Sequence, residues 1–147
     1  MPNWNYYQTN IDGEIASVFL DLNVKIENEY LIYNNLCWLF IKLRLDQKDG
    51  LSHQDEFDQL CAHEDDIINE IDKSEDLYVG RITTQGMRQF YFYTSNLSKF
   101  DVKIRNVVSK HKDYLFQINN KLDSEWNQYD TVIYPGEYGL EQISERE

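Results

Sequence analysis

Residues Leu77–Thr94, LYVGRITTQGMRQFYFYT, decide the fold class of this chain. Two runs rich in β-branched and aromatic residues flank Gln85-Gly86, the chemistry of a two-residue hairpin turn. That turn pairs Thr84 with Met87 and sets Arg81 opposite Phe90. Strict alternation then gathers Val79, Arg81, Thr83, Arg88 and Phe92 on one face, with Tyr78, Gly80, Ile82, Gln89, Tyr91 and Tyr93 on the other. Two arginines among aromatic rings near a sheet edge suit cation–π stacking or a forked grip on a carboxylate. Internal pairing with the chain's own surplus of carboxylates is the plainer reading.

Working upstream, Leu36–Leu45 reads as a central strand. Cys37, Leu39, Ile41, Leu43 and Leu45 share one face, and Leu36, Trp38 and Phe40 begin the other, so the strand lies in a covered sheet. Between it and the hairpin, Ser52 is a candidate N-cap. Phe57, Leu60, Cys61, Ile67, Ile68 and Ile71 then recur at three- and four-residue steps, which predicts an amphipathic helix. Downstream, a second helix starts near Ser95 or Asn96 and carries Leu97, Phe100, Ile104, Val107, Val108 and His111 on one face. Tyr114–Ile118 follows as a last strand. At the start of the chain, Trp4–Thr9 and Ile15–Leu22 flank a turn at Asp12-Gly13 and form another hairpin. Asn23–Asn35 fits strand or loop equally well. The order after the first hairpin is β-α-β-β-α-β, which predicts an α+β fold: a ferredoxin-like antiparallel sheet with both helices on one face and an N-terminal hairpin extension. Residues 1–147 read as one domain, with no repeat and no Gly/Ser-rich linker.

Composition restricts the function classes. The chain has 26 acidic and 14 basic residues, a formal net charge of -12. A field of that sign repels phosphate backbones and anionic lipid, which argues against direct nucleic-acid and membrane-surface binding. The plainer reading of the acidity is solubility, and the sharper one is a basic protein partner. No run approaches the roughly 18 apolar residues of a membrane span. The N-terminus lacks the charged and apolar regions of a signal peptide. Cys37 and Cys61 lie in apolar patterns without metal-type spacing, as small core residues of a cytoplasmic protein do.

The sequence holds no Gly-rich phosphate loop, nucleophile elbow, H-E-x-x-H or paired C-x-x-C, and no cofactor is expected. His53, His63 and His111 have no metal-ligand spacing, so no metal site is expected. Asp65 and Asp66 read as a solvated face. Glu64 interrupts the apolar stripe and needs a cationic partner if buried; Arg81, Arg88 and Arg44 are the candidates. Trp38 is a packing residue. Trp126 and Tyr129, in the polar context Asp123-Ser124-Glu125, either pack over the sheet or anchor a partner. The tail after Tyr134-Pro135-Gly136 reads as a short, frayed helix.

The pattern Val79-Gly80-Arg81-x-Thr83-x-x-Gly86-x-Arg88-x-Phe90-Tyr91-Phe92-Tyr93 resembles a bacterial family, the domain of unknown function 695. Trp4, Gly50-Leu51, Glu64-Asp65, Glu125-Trp126-x-x-Tyr129 and Tyr134-Pro135 extend the resemblance over nearly the whole chain. It implies a stand-alone α+β module without assigned catalytic residues. Similar chains are often joined to a domain like the ribonuclease E inhibitor B, an acidic protein that works by binding an enzyme. Gly136 and Gly139 stand where the family often continues into a longer C-terminal helix, which puts such a helix in question here.

Together these features point to a non-catalytic, cytoplasmic regulatory module that binds a protein, as monomer or homodimer. Its candidate binding residues are Arg81, Arg88, Glu64, Tyr91, Trp126 and Tyr129. The alternative is a small-molecule or hydrolytic site built from Glu64, Arg81, Arg88 and a tyrosine. A cleft lined by Glu64 and an arginine favours the second reading, and a closed ion pair beneath the helix counts against it.

Overall fold

Why the sheet forms is visible in its first turn. Asp12 and Gly13 both take positive φ, at 53° and 83°, so Trp4–Ile11 (β1) and Glu14–Asp21 (β2) pair antiparallel over their whole length. The same device recurs at Gln85 and Gly86, φ 52° and 76°. There it joins Asp76–Thr84 (β4) to Met87–Thr94 (β5) with the expected Thr84↔Met87 and Arg81↔Phe90 register. With Asn35–Lys42 (β3) and Phe116–Leu122 (β6), the computed structural model, which describes residues 1–146, forms one six-stranded antiparallel sheet in the order β1-β2-β4-β5-β3-β6.

The mixed architecture follows the sequence expectation, but the sheet is larger than a four-stranded layer with an appended hairpin. β2 pairs directly with β4 from Ala16↔Thr84 to Leu20↔Gly80, so the N-terminal hairpin continues the same sheet. Arg81 and Arg88 therefore stand on interior strands and not near an edge.

Each face carries its own core. Phe57–Glu70 (α2) and Leu97–Val108 (α3) lay Leu60, Ile67, Phe100, Ile104 and Val107 on Leu39, Ile41, Tyr78, Phe90 and Phe92. The phase of α2 differs from the expected stripe. The helix is entered through a 3₁₀ turn at Gln54–Glu56, and His53 in place of Ser52 accepts the capping N–H, from Asp55. That entry turns Phe57 to solvent and His63 into the core.

Asn23–Asn35 is neither strand nor plain loop. It holds the one-turn helix Val24–Glu27 (α1) and a 3₁₀ turn at Tyr30–Ile32. Tyr33 then joins the opposite core, where Trp126, Tyr129, Ile133 and Ile143 pack on Ala16, Val18, Leu20, Val79 and Tyr93. The last strand begins two residues later than expected and leaves Tyr114 in the preceding loop.

The tail forms a ten-residue helix, Glu137–Arg146 (α4). Gly139 does not break it. A Cβ there would lie 2.8 Å from the Tyr7 ring, so the glycine permits a close approach to β1. From α4, Gln142 accepts from the Gln8 N–H at 3.0 Å and donates to the Gln8 carbonyl at 2.8 Å, while Arg146 donates to the Tyr6 carbonyl. These side chains occupy backbone groups that an edge strand otherwise offers to a neighbour.

Candidate functional site

The helices α2 and α3 cover β4, β5 and β3 but leave β1 and β2 bare on that face. Strand register fixes what is exposed along the border. One cross-strand row runs Tyr6, Phe19, Arg81, Phe90, Leu39, and the next runs Gln8, Ser17, Thr83, Arg88, Ile41. Each row passes from the open hairpin through an arginine or threonine into the core beneath the helices. The arginines stand where cover ends.

A β-bulge brings a tyrosine to them. Tyr78 and Arg81 are three apart and would face opposite sides in a regular strand. The β4–β5 register slips between Tyr78↔Phe92 and Gly80↔Tyr91, leaving Val79 as the extra residue. Tyr78 therefore joins the arginine face and Val79 the opposite core, the reverse of strict alternation. Gly80 permits this, since a Cβ there would sit 2.7 Å from the Phe19 carbonyl oxygen. A glycine inside a strand was the sequence signal for the bulge.

Of the three candidate partners for Glu64, Arg81 is the one that binds it, through Nη1 and Oε1. Their side chains are 24% and 14% exposed, so the pair is neither dry nor freely solvated. The other side of the Arg81 guanidinium lies over the Phe19 ring, 4.4 Å from its centroid. Phe19 in turn stacks on Trp4 at 4.9 Å, and Trp4 meets Tyr78 at 5.2 Å.

Arg88 differs. Its Nε donates to Thr83 Oγ1 at 3.2 Å and its Nη2 to Ser52 Oγ at 3.4 Å. Among the described residues no carboxylate pairs with it. Burial, then the neighbouring Arg81 charge, pull its pKa below the ordinary arginine value. The buried Tyr78 hydroxyl has no hydrogen-bond partner. Burial, then the charge of Glu64, push it far above the usual tyrosine range, so it stays a neutral donor.

Two cavities flank this arrangement. One of about 400 Å³ is lined by Arg81, Arg88, Thr83, Ser17, Ser52 and Tyr6, with Phe19 and Leu51. The other, about 430 Å³, has Trp4, Phe19, Tyr78, Ile68 and Ile71 among its walls and Glu64 at its margin. Phe19 belongs to both, and the Glu64–Arg81 pair spans the space between them. Gly50 shapes the first. At φ +76° its carbonyl accepts from the Gly86 N–H at 2.9 Å, and a Cβ would lie 2.7 Å from the Gln85 nitrogen. That contact docks Leu51 and Ser52 against the hairpin turn.

Of the residues singled out in the sequence, Arg81, Arg88 and Glu64 meet here. Tyr91, Trp126 and Tyr129 are buried in the opposite core. Trp126 stacks on Tyr93 at 3.9 Å and donates to the Tyr33 carbonyl at 2.9 Å, and Tyr129 donates to the Asp21 carbonyl at 2.7 Å. Thr83 shares the face as expected, and Phe19, Tyr78, Ser17 and Ser52 join it without having been expected there.

The histidines gather elsewhere. His63 stacks on His111 at 4.0 Å, and His111 Nε2 lies 2.7 Å from Asp66. Burial, then the His111 charge, lower the His63 pKa to about 4. Tyr114, edge-on to His63, donates to Glu56 at 2.7 Å. Among the described residues no three His, Cys, Asp or Glu side chains are placed to hold a metal ion, and no helix is long and apolar enough to cross a membrane.

No curated protein and no solved structure matches the chain. The hairpin pattern that sets the two arginines on one face lies within residues 2–134, which match the model of a family of unknown function, DUF695, and the chain belongs to that family.

Proposed function

We propose that this protein is a non-catalytic binding module whose Arg81–Arg88 face captures an acidic group on a small molecule. The observation that carries this is Arg88. A half-buried guanidinium without a carboxylate partner is costly to the fold, yet it lies on a cavity of about 400 Å³ together with Arg81 and the side chains of Ser17, Ser52 and Thr83. Guanidinium forks and hydroxyl donors are the groups that bind carboxylate or phosphate. The arginines line a recess and do not stand on a flat surface, which supports a small ligand over the docking of a protein on the sheet. Neither flanking cavity has a histidine or cysteine in its lining, and no carboxylate lines the arginine cavity, so that cavity offers recognition groups without an imidazole, thiol or carboxylate base.

We read the setting as bacterial and cytoplasmic, on the family resemblance and on two unpaired cysteines. In the same spirit, α2 and α3 over strands ordered β4-β5-β3-β6 support a ferredoxin-like unit continued by the N-terminal hairpin.

The test is titration with inorganic phosphate and, separately, acetate, followed through the arginine Nε–H signals by NMR. Saturable shifts at the Arg88 and Arg81 Nε–H signals are expected, with the Arg81 response lost in Arg88→Gln. Shifts that never saturate, or an Arg81 response that persists unchanged in Arg88→Gln, refute the proposal.

A further inference from the structure

The two cavities differ in charge. Arg81 and Arg88 are the ionised groups on the first, and no carboxylate lines it. On the second, carboxylates outnumber cations. Asp21, Glu27, Glu64 and Asp76 stand against Lys73 alone in the lining. Asp76 is paired with Lys103 at 2.5 Å, Glu64 with Arg81 and Glu27 with the N-terminal ammonium, and among the described residues Asp21 has no cationic partner. Asp21 and Glu64 use a single carboxylate oxygen each in hydrogen bonds. Asp21 Oδ1 accepts the Asn3 and Asn23 N–H groups, and Glu64 Oε1 accepts from Arg81. The second oxygens are left for another donor. Between these carboxylates lie the Trp4 and Tyr78 rings, whose faces attract cations.

The cavities lie end to end along β2, from Asp21 at one extreme to Ser17 at the other, with Phe19 common to both. Four residues of strand span about 13 Å. A ligand reaching from one cavity to the other therefore meets cations at one end and carboxylates with aromatic rings at the other.

We propose that this trough takes a dipolar small molecule, with its acidic group on Arg88 and Arg81 and its ammonium group beside Trp4, Tyr78 and Asp21. The inference deepens the anion-binding reading and rests on it. The Glu64–Arg81 pair lies midway, where it presents a carboxylate towards the ammonium end and guanidinium donors towards the acidic end. An apolar chain crossing there passes the edge of the Phe19 ring, whose faces are taken by Arg81 and Trp4.

Probes with one or both charges separate the two ideas. We would titrate octanoate, octylamine and the terminal amino acid of the same chain length, aminooctanoate, into the full chain by calorimetry, with NMR shifts as a second readout. Aminooctanoate is expected to bind about tenfold or more tighter than octanoate, the ratio equivalent to one favourable charge contact. Asp21→Asn keeps the oxygen that accepts the Asn3 and Asn23 N–H groups while removing the charge. It should erase that advantage while octanoate still binds through Arg88. Equal affinity of octanoate and aminooctanoate overturns the dipolar inference while the anion site stands. Octanoate and aminooctanoate binding unaffected by Arg88→Gln, or no saturable binding of any probe or of phosphate, overturns both.

Discussion

The two arginines, neighbours on one sheet face, are expected to change stability in opposite directions when removed. Arg81→Met strips Glu64 of its cation while that carboxylate is only 14% exposed, and it ends the stacking on Phe19. Breaking a fully buried pair costs about 3–5 kcal/mol; because this pair keeps some contact with water, about 2–3 kcal/mol is the expected loss. Arg88→Met removes a guanidinium that has no carboxylate partner and is held by two hydroxyl contacts at 3.2 and 3.4 Å. An apolar replacement of similar length relieves desolvation and repulsion from Arg81, against the modest loss of those two contacts. The balance is a gain of about 1 kcal/mol, or roughly 2–4 °C in Tm for a domain of this size. Urea denaturation of both variants, with unchanged m-values as the check on the folded reference, measures the two effects. Phosphate should then stabilise the wild type by about 2.7 kcal/mol at a concentration one hundred times its Kd, and should leave Arg88→Met unmoved. A loss of more than about 1 kcal/mol in Arg88→Met would refute the reasoning, since the arginine would then be part of the fold's own stability.

Two further outcomes follow from the same geometry. His63 has a folded pKa near 4, below its ordinary 6.5, so the folded state prefers the neutral ring; its contribution is complete above pH 6.5 and is lost as pH falls towards 4, about 3 kcal/mol in all. His63→Gln should flatten that part of the stability–pH curve in chemical denaturation, and an unchanged slope between pH 6.5 and 4.5 would count against it. Gly80→Ala pushes a methyl group to 2.7 Å from the Phe19 carbonyl oxygen. It should destabilise by about 2–3 kcal/mol and weaken the phosphate response together with it, because the bulge sets Tyr78 beside Arg81; a stable variant with normal phosphate binding would show that the bulge is dispensable.

What could be read from the sequence depended on whether the determinant was local. Gln85-Gly86 fixes a two-residue turn by backbone conformation alone, so the Arg81↔Phe90 pairing was legible without any tertiary information. The bulge at Val79 was marked only by the neighbouring Gly80, and its position was not legible from that glycine alone, because it depends on how closely Gly80 approaches β2, a strand far earlier in the chain. Glu64 was recognisable as a carboxylate needing a partner, but choosing Arg81 over Arg88 required knowing where α2 ends its cover. Trp126 left a partner-anchor reading open beside packing for a different reason. Its polar neighbour Asp123 is itself buried, accepting from the Tyr93 hydroxyl at 2.7 Å and from the Asn127 and Gln128 N–H groups, so polarity in the sequence marked a satisfied interior cap and not a surface. For His63 the sequence showed only the absence of metal-ligand spacing, whereas packing against His111 and Tyr114 from other elements makes it core.

The chain's overall charge bears on which ligand the arginine cavity can accept. A net charge of -12 on 147 residues sets up a repulsive potential for any anion approaching the surface, weakened but not removed by salt, whose Debye length is about 8 Å at physiological strength. A multiply charged anion meets that repulsion in proportion to its charge, while a molecule bearing one acid and one ammonium has no net charge to repel. The local field reverses only inside the trough, where Arg88 and Arg81 supply the positive end and Asp21 and Glu64 the negative one. Bulk composition and local geometry thus select in the same direction. Under the proposed reading, the acidic surface would discriminate against polyanions before contact, and the paired cavities against simple monoacids after it. For the same reason the unpaired Arg88 is more informative here than it would be on a neutral protein. In a chain with 26 acidic side chains, a half-buried cation left without a carboxylate is not explained by any shortage of partners, and an acidic group brought by a ligand accounts for the position left open.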